Sequence, residues 1–347
     1  MLNLICTADY ELFFSKNNNP EEILIQPTDR LLKIFSKYQQ PITLFADVCC
    51  ILRLKELGDD FAFKMEEQLI SAVRCGHDVQ LHVHPHWLFA DFNNGEWSFD
   101  KKYYKIQNLG FDRSETDIRK SGYALLKNAK KYLENLLTSV NPDYKCIAFR
   151  AGGWCIQPEL EYTAALSELG ITIDSSVIYG GKSMEEMNSH DFTDVPKGNY
   201  FFKDNIHIKI NQSQGALYEV PVIGLTFPWN LVKFLHIRML TPKKNHIFVK
   251  NMGNFVVGKN KKPLINKIIS RYFSPLSLTF DAQIYEDNLH ILNRYINKNS
   301  WSSAALISHP KIFCDGVYQE IDTFVKTVVD TYKNTIRLSL FNAAIVR

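Results

Sequence analysis

The sequence predicts an α/β fold built on a distorted (β/α)7 barrel with insertions. Short apolar segments rich in β-branched residues recur along the chain, and amphipathic helical patterns lie between many of them. This alternation is typical of right-handed βαβ units in a parallel sheet or barrel. Most of the apolar segments are nearly continuous, which indicates strands that are buried on both faces. Seven such strands favour a barrel one repeat short of eight.

The individual elements follow from the same patterns. The predicted strands cover residues 2–8, 41–47, 78–84, 146–150, 171–177, 217–223 and 304–308. The predicted helices cover residues 28–38, 59–75, 114–137, 158–170, 283–298 and 318–333. Thr28 is expected to cap the first helix, and a capping-box-like sequence at 114–117 begins the third. The helix over 158–170 begins at a proline and ends at a glycine, as helices commonly do.

Size and charge distribution bound the domain organisation. A chain of 347 residues suits one decorated barrel or two modules, and no clean linker or internal repeat divides it. Residues 220–280 contain ten Lys and Arg and no Asp or Glu, although the whole chain has 40 basic and 37 acidic residues. We therefore expect a single domain over residues 1–347, with a basic insertion at about 224–280.

The sequence also predicts a cytoplasmic protein. It contains no apolar stretch of the length that a transmembrane helix needs, and it begins without the pattern of a signal peptide. Its seven cysteines include no C-x-x-C motif. A disulfide framework and a thiolate zinc site are therefore not expected.

A cluster of histidines is the strongest local signal. Residues 76–86, with the sequence GHDVQLHVHPH, contain four of the ten histidines of the chain and lie at the end of a predicted strand. Neutral imidazole is the most common protein ligand for zinc and similar ions. His82 and His86 are four residues apart, so a turn beginning at Pro85 would aim both at one metal ion. Ordinary packing or surface histidines are the alternative interpretation.

Polar residues also follow other predicted strands. Asp9 and Glu11 are two residues apart at a strand end, so their carboxylates are expected to point the same way. A hydrolytic metal site needs one carboxylate as a ligand and one as a general base. The other polar strand ends are Arg150 with Gly152-Gly153-Trp154, Asp174-Ser175-Ser176, and His309-Pro310. Each alone suits a cap or a polar loop, but together they favour one site at the carboxyl ends of the strands.

This pattern resembles the polysaccharide deacetylase family, also called the NodB-homology or carbohydrate esterase family 4 fold. The resemblance spans Thr7 to Pro310 in the family's motif order, and residues 76–86 match the pattern G-H-[DE]-[IVL]-x-x-H-[ST]-x-x-H except at Val83. It implies a barrel of the glycoside hydrolase/deacetylase type. It also implies a metal-dependent hydrolase that removes an N-acetyl group from a sugar in polysaccharide or glycan biosynthesis. The alternatives are another C–N hydrolase on this fold, such as a deformylase or a cyclic amidase, and a catalytically inactive carbohydrate-binding homologue.

The resemblance further implies roles for single residues. Asp9 corresponds to the catalytic base, Arg150 to the residue that orients it, His309 to the general acid and Asp174 to the residue that tunes that histidine. The implied metal ligands are Glu11, His82 and His86. Glu11 follows from a D-x-[DE] spacing, because Tyr10 occupies the usual ligand position. The expected substrate-binding residues are Tyr10, His84, Trp87, Gly153 and Trp154, with core packing as the alternative for the tryptophans and packing or solvent exposure for His84.

The cofactor and partners follow from the same resemblance and from the basic insertion. One divalent metal is expected, with Zn²⁺ as the first choice and Fe²⁺, Co²⁺ and Ni²⁺ as ions that also accept two histidines and a carboxylate. The expected partner is a carbohydrate, either free or linked to a nucleotide or a lipid, and no nucleic-acid-binding module is recognisable. Residues 229–262 are basic and partly aromatic, which is typical of peripheral contact with the inner face of a membrane. Steering of an anionic substrate and a solvated lid are the alternatives.

Overall fold

The centre of the fold is a curled, mostly parallel sheet. The computed structural model describes residues 1–12, 19–232, 274–281, 285–296 and 301–344. Eight described strands of this sheet run parallel: β1 (Leu2–Tyr10), β2 (Thr43–Asp47), β3 (Asp78–Val83), β4 (Ala148–Ala151), β5 (Ile173–Asp174), β6 (Leu217–Glu219), β7 (Ser303–Leu306) and β8 (Ile336–Leu338). Each strand from β1 to β5 pairs with the next, and β7 and β8 both pair with β1. The predicted distorted α/β barrel is confirmed.

The two ends of this sheet meet through the segment that follows β6. Val222 forms an isolated parallel bridge with Ala305 of β7. Ala305 donates its N–H to the carbonyl of Pro221 at 3.0 Å and accepts the N–H of Ile223 at 3.1 Å. The barrel is therefore most distorted between β6 and β7, where a bridge stands in place of a paired strand.

Helices cover the outside of the sheet. They are α1 (Gln26–Lys37), α2 (Val48–Glu56), α3 (Phe61–Arg74), α4 (Gly122–Leu137), α5 (Leu160–Glu168), α6 (Tyr285–Ile296) and α7 (Asp315–Thr331). All six predicted helices are present with shifted bounds, and α2 was not predicted. The expected cap at Thr28 is wrong, because α1 begins at Gln26 and Thr28 is buried inside it. The start of α4 is also later than predicted, since the hydroxyl of Ser121 accepts the N–H groups of Tyr123 and Ala124.

The alternation of β1 separates an outer core from the barrel interior. Leu4, Cys6 and Ala8 belong to the large cluster under the helices. Ile5 points inward, where it joins Phe45, Ala148, Ile173 and Val220 in a second cluster that Phe341 also contacts. Because side chains alternate along a strand, the inward positions above Ile5 are those of residues 7, 9 and 11. The interior is therefore apolar at one end and polar at the end where the strands terminate.

The basic insertion is described only at its ends. Residues 233–273 lie outside the described residues, as does most of the 229–262 stretch for which membrane contact is predicted. Gly224–Leu225 pairs antiparallel with Leu276–Ser277, so the two ends lie side by side. Thr279 then forms a parallel bridge with Ile307 just beyond β7. The last part of the predicted insertion is thus joined to the barrel. That the whole chain forms a single domain stays a prediction.

Among the described helices, none combines the length and apolar character that crossing a bilayer requires.

His77, which precedes β3, leads to a testable pH dependence of stability. Its Nε2 lies 2.9 Å from the hydroxyl of Ser36, and burial lowers the pKa of His77 from 6.5 to about 4. As the pH is lowered from 6.5 to about 4, this histidine becomes protonated in the unfolded chain but stays neutral in the folded chain. The free energy of unfolding should therefore fall by up to about 3 kcal/mol as the pH is lowered through that range.

Urea unfolding of the wild type and of His77→Gln at several pH values would measure this contribution. We expect the difference in unfolding free energy between the two proteins to change across that pH range, because the other titrating groups are common to both. A difference that is the same at every pH would contradict the prediction.

Candidate active site

A cavity of about 410 Å³ opens where the parallel strands end. Residues from widely separated parts of the chain line it, among them Asp9, Glu11, His82, Gly153 and His309. The carboxyl ends of parallel barrel strands commonly form the active site of such folds. The cavity therefore collects most of the polar strand ends that the sequence singles out.

A buried ion pair lies at the base of this cavity. Arg150 of β4 is fully buried and its Nη1 donates to Asp9 Oδ1 at 2.6 Å and to the hydroxyl of Thr7 at 2.9 Å. On its other side the guanidinium donates to the carbonyl and the hydroxyl of Ser175, both at 3.1 Å. Its plane also packs over the ring of Phe45 at 4.2 Å. Arg150 thus holds Asp9 in one orientation, as the predicted pairing requires.

The charge state of Asp9 follows from this contact. Burial by itself raises the pKa of the carboxyl, but the positive charge of Arg150 and the hydrogen bond with His309 outweigh burial. The pKa of Asp9 consequently lies well below its ordinary value, and the group is ionised at neutral pH.

Three further side chains form a group able to hold a divalent cation. One ligating atom from each of Glu11, His82 and His84 lies within 4.8 Å of the others, and all three side chains are buried. His82 Nδ1 lies 2.8 Å from the carbonyl of Arg150, which assigns the ring proton to Nδ1 and leaves a lone pair on Nε2. His82 Nε2 has no hydrogen-bond partner within the described part of the chain and lies 3.6 Å from Glu11 Oε2. A buried imidazole nitrogen of this kind suits a metal ligand.

The electrostatics of Glu11 and His84 also suit a cation. Burial raises the pKa of Glu11, but the charge of Lys311 and the contacts with the two histidines outweigh it, so the pKa lies well below the usual value. Burial lowers the pKa of His84 to about 4, so its imidazole is neutral near pH 7. Burial lowers the pKa of His82, but the carboxylates of Glu11 and Asp9 outweigh it and raise the pKa above its ordinary value, so a bound metal ion would take the place of a proton on that ring. One carboxylate and two imidazoles form the donor set that Zn²⁺ and related ions accept.

The second histidine of this group differs from the sequence prediction, which assigned His86. His82 and His84 are two residues apart on β3 and its extension, so both point into the cavity. The chain then enters a short 3-10 turn at Pro85–Phe89. That turn places the His86 ring against Tyr104, with ring centroids 5.1 Å apart, and near Phe99 at 5.4 Å. His84, which was predicted as a substrate contact, takes the place assigned to His86.

Two glycines after β4 make room for these rings. A Cβ at Gly152 would lie 2.6 Å from His84 Nδ1 and 2.5 Å from the carbonyl of Val83, so no side chain fits there without displacing His84. Gly153 has a φ of 60°, and a Cβ there would lie 2.6 Å from the ring of Tyr104. The glycines therefore allow close approach of the β4 end to the histidine segment.

His309 lines the same cavity, with its Nε2 3.8 Å from Glu11 Oε1, and has a different partner from the predicted one. Its Nδ1 lies 2.5 Å from Asp281 Oδ2, and its backbone N–H donates to Asp281 Oδ1 at 2.8 Å. Its Nε2 faces Asp9 Oδ2 at 3.5 Å. Burial lowers the pKa of His309, but the charge and hydrogen bond of Asp281 outweigh it and raise the pKa to about 10. The ring is therefore protonated at neutral pH.

Asp174, which was predicted to tune His309, lies elsewhere. Its carboxylate accepts the hydroxyl of Ser176 at 2.6 Å and the Ser176 N–H at 3.2 Å. The same hydroxyl accepts the N–H of Ala151 at 2.9 Å, so Asp174 supports the junction of β4 and β5. It pairs in register with Phe149 and Glu219 and does not line the cavity.

Parallel register explains why Asp281 takes that place. Thr279 is level with Ile307 across a parallel bridge, so the residues two positions further on, Asp281 and His309, are also level. The sequence feature that could have revealed Asp281 is the segment 276–280, in which apolar residues alternate and which is followed by an acidic residue, much as β1 leads to Asp9. The sequence analysis assigned this segment to the basic insertion and therefore missed Asp281.

The predicted aromatic contacts are corrected in part. Tyr10 and Trp87 are both fully buried, so neither offers a surface to a substrate. Tyr10 alternates with Asp9 and Glu11 and therefore points into the outer core, and Trp87 packs against Trp97 at 5.1 Å. Trp154 does line the cavity, as predicted for a residue that contacts a substrate. It has a φ of 63°, a left-handed conformation that is rare for a bulky residue and common near functional sites.

Lysine and tyrosine side chains that the sequence analysis did not single out also line the cavity. Lys311 Nζ donates to Glu11 Oε1 at 2.8 Å, and Tyr104 covers Gly153. Lys311 is two residues beyond His309, close enough to have been considered with it. Tyr104 lies in the 88–112 segment, which gives no pattern that would place it at the site.

Comparison with known proteins gives the fold a context. No protein-family model matches the sequence, and no curated protein matches it. A candidate glycoside hydrolase/deacetylase from Parabacteroides distasonis matches with a TM-score of 0.56 and 9% identity, covering 96% of this chain and 68% of its own. A candidate polysaccharide deacetylase from Mycobacterium smegmatis gives 0.46 and 13%, with coverage of 91% and 74%. A family 4 carbohydrate esterase from Streptomyces lividans, in complex with acetate, gives 0.38 and 8%, with coverage of 98% and 91%.

Matches at such low sequence identity show that the folds are alike, but they do not show that the reactions are. The match with the Parabacteroides distasonis structure extends over nearly the whole chain. The chain therefore has the glycoside hydrolase/deacetylase fold.

Proposed function

We propose that the protein is a metal-dependent hydrolase that removes an N-acetyl group from a sugar in polysaccharide or glycan biosynthesis. The observation that carries this proposal is that three kinds of functional group line one cavity. An ionised carboxylate, a protonated histidine and a buried group of one carboxylate and two imidazoles all face it. Hydrolysis of an amide needs a base, an acid and a means of stabilising the oxyanion, and these groups match that need.

Glu11, His82 and His84 would hold the metal. A divalent ion bound there supplies a Lewis acid that polarises the amide carbonyl and makes water more acidic. Zn²⁺ is our first choice, because the donor set contains two nitrogens and one oxygen. The hydrogen bond from His82 to the carbonyl of Arg150 fixes the ring for this role.

The remaining chemistry falls to Asp9 and His309. The Asp9 carboxylate accepts the proton of the attacking water, and Arg150 keeps it ionised and oriented. The His309 imidazolium donates its proton to the departing amine, and Asp281 stabilises the charge that the ring carries before the transfer. The backbone N–H of Gly153 is our candidate for a second oxyanion donor, since this residue lines the cavity.

The walls of the cavity support a carbohydrate substrate. Trp154 and Tyr104 line it, and aromatic faces suit the apolar faces of sugar rings. We further propose that the sugar is linked to a nucleotide or a lipid and that the protein acts in the cytoplasm, at the inner face of the membrane, through the basic stretch 229–262. An N-formyl sugar and a cyclic amide belong in the substrate panel as alternatives, and binding of glycans without turnover would indicate an inactive homologue.

The first prediction concerns metal content. Protein purified without chelator or nickel affinity resin should contain about one divalent ion per chain by mass spectrometry. His82→Ala and His84→Ala should each lose it, because each removes a ligand. His86→Ala is the matched control and should keep the metal, since this ring packs against Tyr104.

Two results would contradict this assignment. Retention of metal in His84→Ala together with its loss in His86→Ala would restore the assignment from the sequence. The absence of metal in the wild type, even after incubation with Zn²⁺ or Co²⁺, would favour the inactive, glycan-binding alternative.

The second prediction concerns the base and the acid. Asp9→Asn and His309→Ala should each lower the rate of acetate release from N-acetylated sugars by at least about a hundredfold, because each removes a proton-transfer group. Metal content, measured in the same preparations, should be unchanged, since neither residue belongs to the proposed ligand set. Unchanged deacylation in either variant would exclude this mechanism.

The third prediction concerns Asp281. Asp281→Asn removes the charge that raises the pKa of His309, so the pKa should fall toward its ordinary value. The alkaline limb of the kcat profile should therefore move to lower pH. Asp174→Asn is the matched control, because Asp174 contacts Ser176 rather than His309. A shift caused by Asp174→Asn and not by Asp281→Asn would reverse our assignment.

A further inference from the structure

Lys311 is a buried cation at the candidate metal centre. It lies in the short turn Pro310–Ile312 that follows His309. Its Nζ donates to Glu11 Oε1 at 2.8 Å, and each of the two side chains is only 6% exposed. Nζ also lies 3.4 Å from the carbonyl of Leu12. A lysine is rarely buried to this extent unless it is paired with an acid, so the contact is a specific one.

The two oxygens of Glu11 have different neighbours. Oε1 faces Lys311, whereas Oε2 lies 2.6 Å from His84 Nε2 and 3.6 Å from His82 Nε2. One side of the carboxylate therefore faces a fixed positive charge, and the other side faces the imidazoles that would bind a metal with it. Any cation bound by the three groups would share its carboxylate with the ammonium group.

We propose that Lys311 is the counter-ion of Glu11 in the metal-free protein and that it weakens the binding of a divalent cation at Glu11, His82 and His84. This inference rests on the proposed metal centre and adds a regulatory property to it. The ammonium stabilises the buried carboxylate when no metal is present. When a metal binds, the same ammonium repels it, because both positive charges lie against one carboxylate.

An opposite effect has to be weighed against this one. Lys311 also orients Glu11, and removing a partner of a metal ligand commonly lowers metal affinity by about ten- to a hundredfold. Repulsion between unit charges at about 4 Å corresponds to roughly a thousandfold in affinity at an effective dielectric constant of 20, and the metal carries two charges. Repulsion therefore outweighs orientation, and the net effect of Lys311 is weaker binding.

Metal affinity of Lys311 variants tests the proposal without an activity assay. Lys311→Met keeps an unbranched side chain that is one atom shorter and removes its charge, and Lys311→Arg keeps the charge as the matched control. Metal-free protein is titrated with Zn²⁺, and separately with Co²⁺, in competition with a chromophoric chelator. We expect Lys311→Met to bind at least about tenfold more tightly than the wild type, and Lys311→Arg to stay within about threefold of it.

Thermal unfolding of the metal-free proteins gives a second, independent measurement. Lys311→Met leaves Glu11 buried without its counter-ion, so its Tm without metal should be below those of the wild type and Lys311→Arg. Saturating Zn²⁺ should raise the Tm of Lys311→Met more than that of the wild type, because the added ion replaces the missing charge. If Lys311→Met does not fold, Lys311→Gln takes its place, with the same expectations.

The outcomes separate this inference from the proposed function. Equal or weaker metal binding by the uncharged variant, in a wild type that binds metal and releases acetate, would overturn the role of Lys311 and leave the function intact. An uncharged variant that is as stable as the wild type without metal would also overturn it. Failure of every variant and of the wild type to bind either ion would overturn both the inference and the metal centre.

Discussion

The candidate site depends on the buried contact between Arg150 and Asp9. This guanidinium spans the interior from β4 to β1 and to the end of β5, and it is the only group that touches Thr7, Asp9 and Ser175 together among the hydrogen bonds of the described residues. The backbone carbonyl of the same residue fixes the ring of His82. A single position of β4 therefore sets both the ionisation of the carboxylate and the orientation of a proposed ligand.

Charges in the cavity are balanced in pairs. Asp9 faces Arg150, Glu11 faces Lys311, and Asp281 faces His309. Removing one partner of a buried pair costs far more than the pair itself contributes, because an uncompensated charge remains. The three pairs thus make the metal-free site stable, and they mean that a divalent ion would arrive in surroundings that are already neutral.

Sequence patterns predicted the barrel well because strand and helix periodicity are local properties. The alternation of Asp9, Tyr10 and Glu11 was read correctly for the two acids, and the same rule would have placed Tyr10 in the outer core. It would also have selected His84 over His86, since His82 and His84 share one face of a strand that ends before Pro85. Asp281 could not be assigned in this way, because its place depends on the long-range bridge between Thr279 and Ile307.

The antiparallel pairing of Gly224–Leu225 with Leu276–Ser277 gives the basic segment a common point of departure and return. Changes of length between these two paired segments would leave the register of the barrel unaltered, because the chain returns beside the point from which it departs. The short stretch from Ser277 to Asp281 has no such freedom. Gain or loss of a single residue there would turn the Asp281 carboxylate to the other face of its strand and leave His309 Nδ1 without its carboxylate partner.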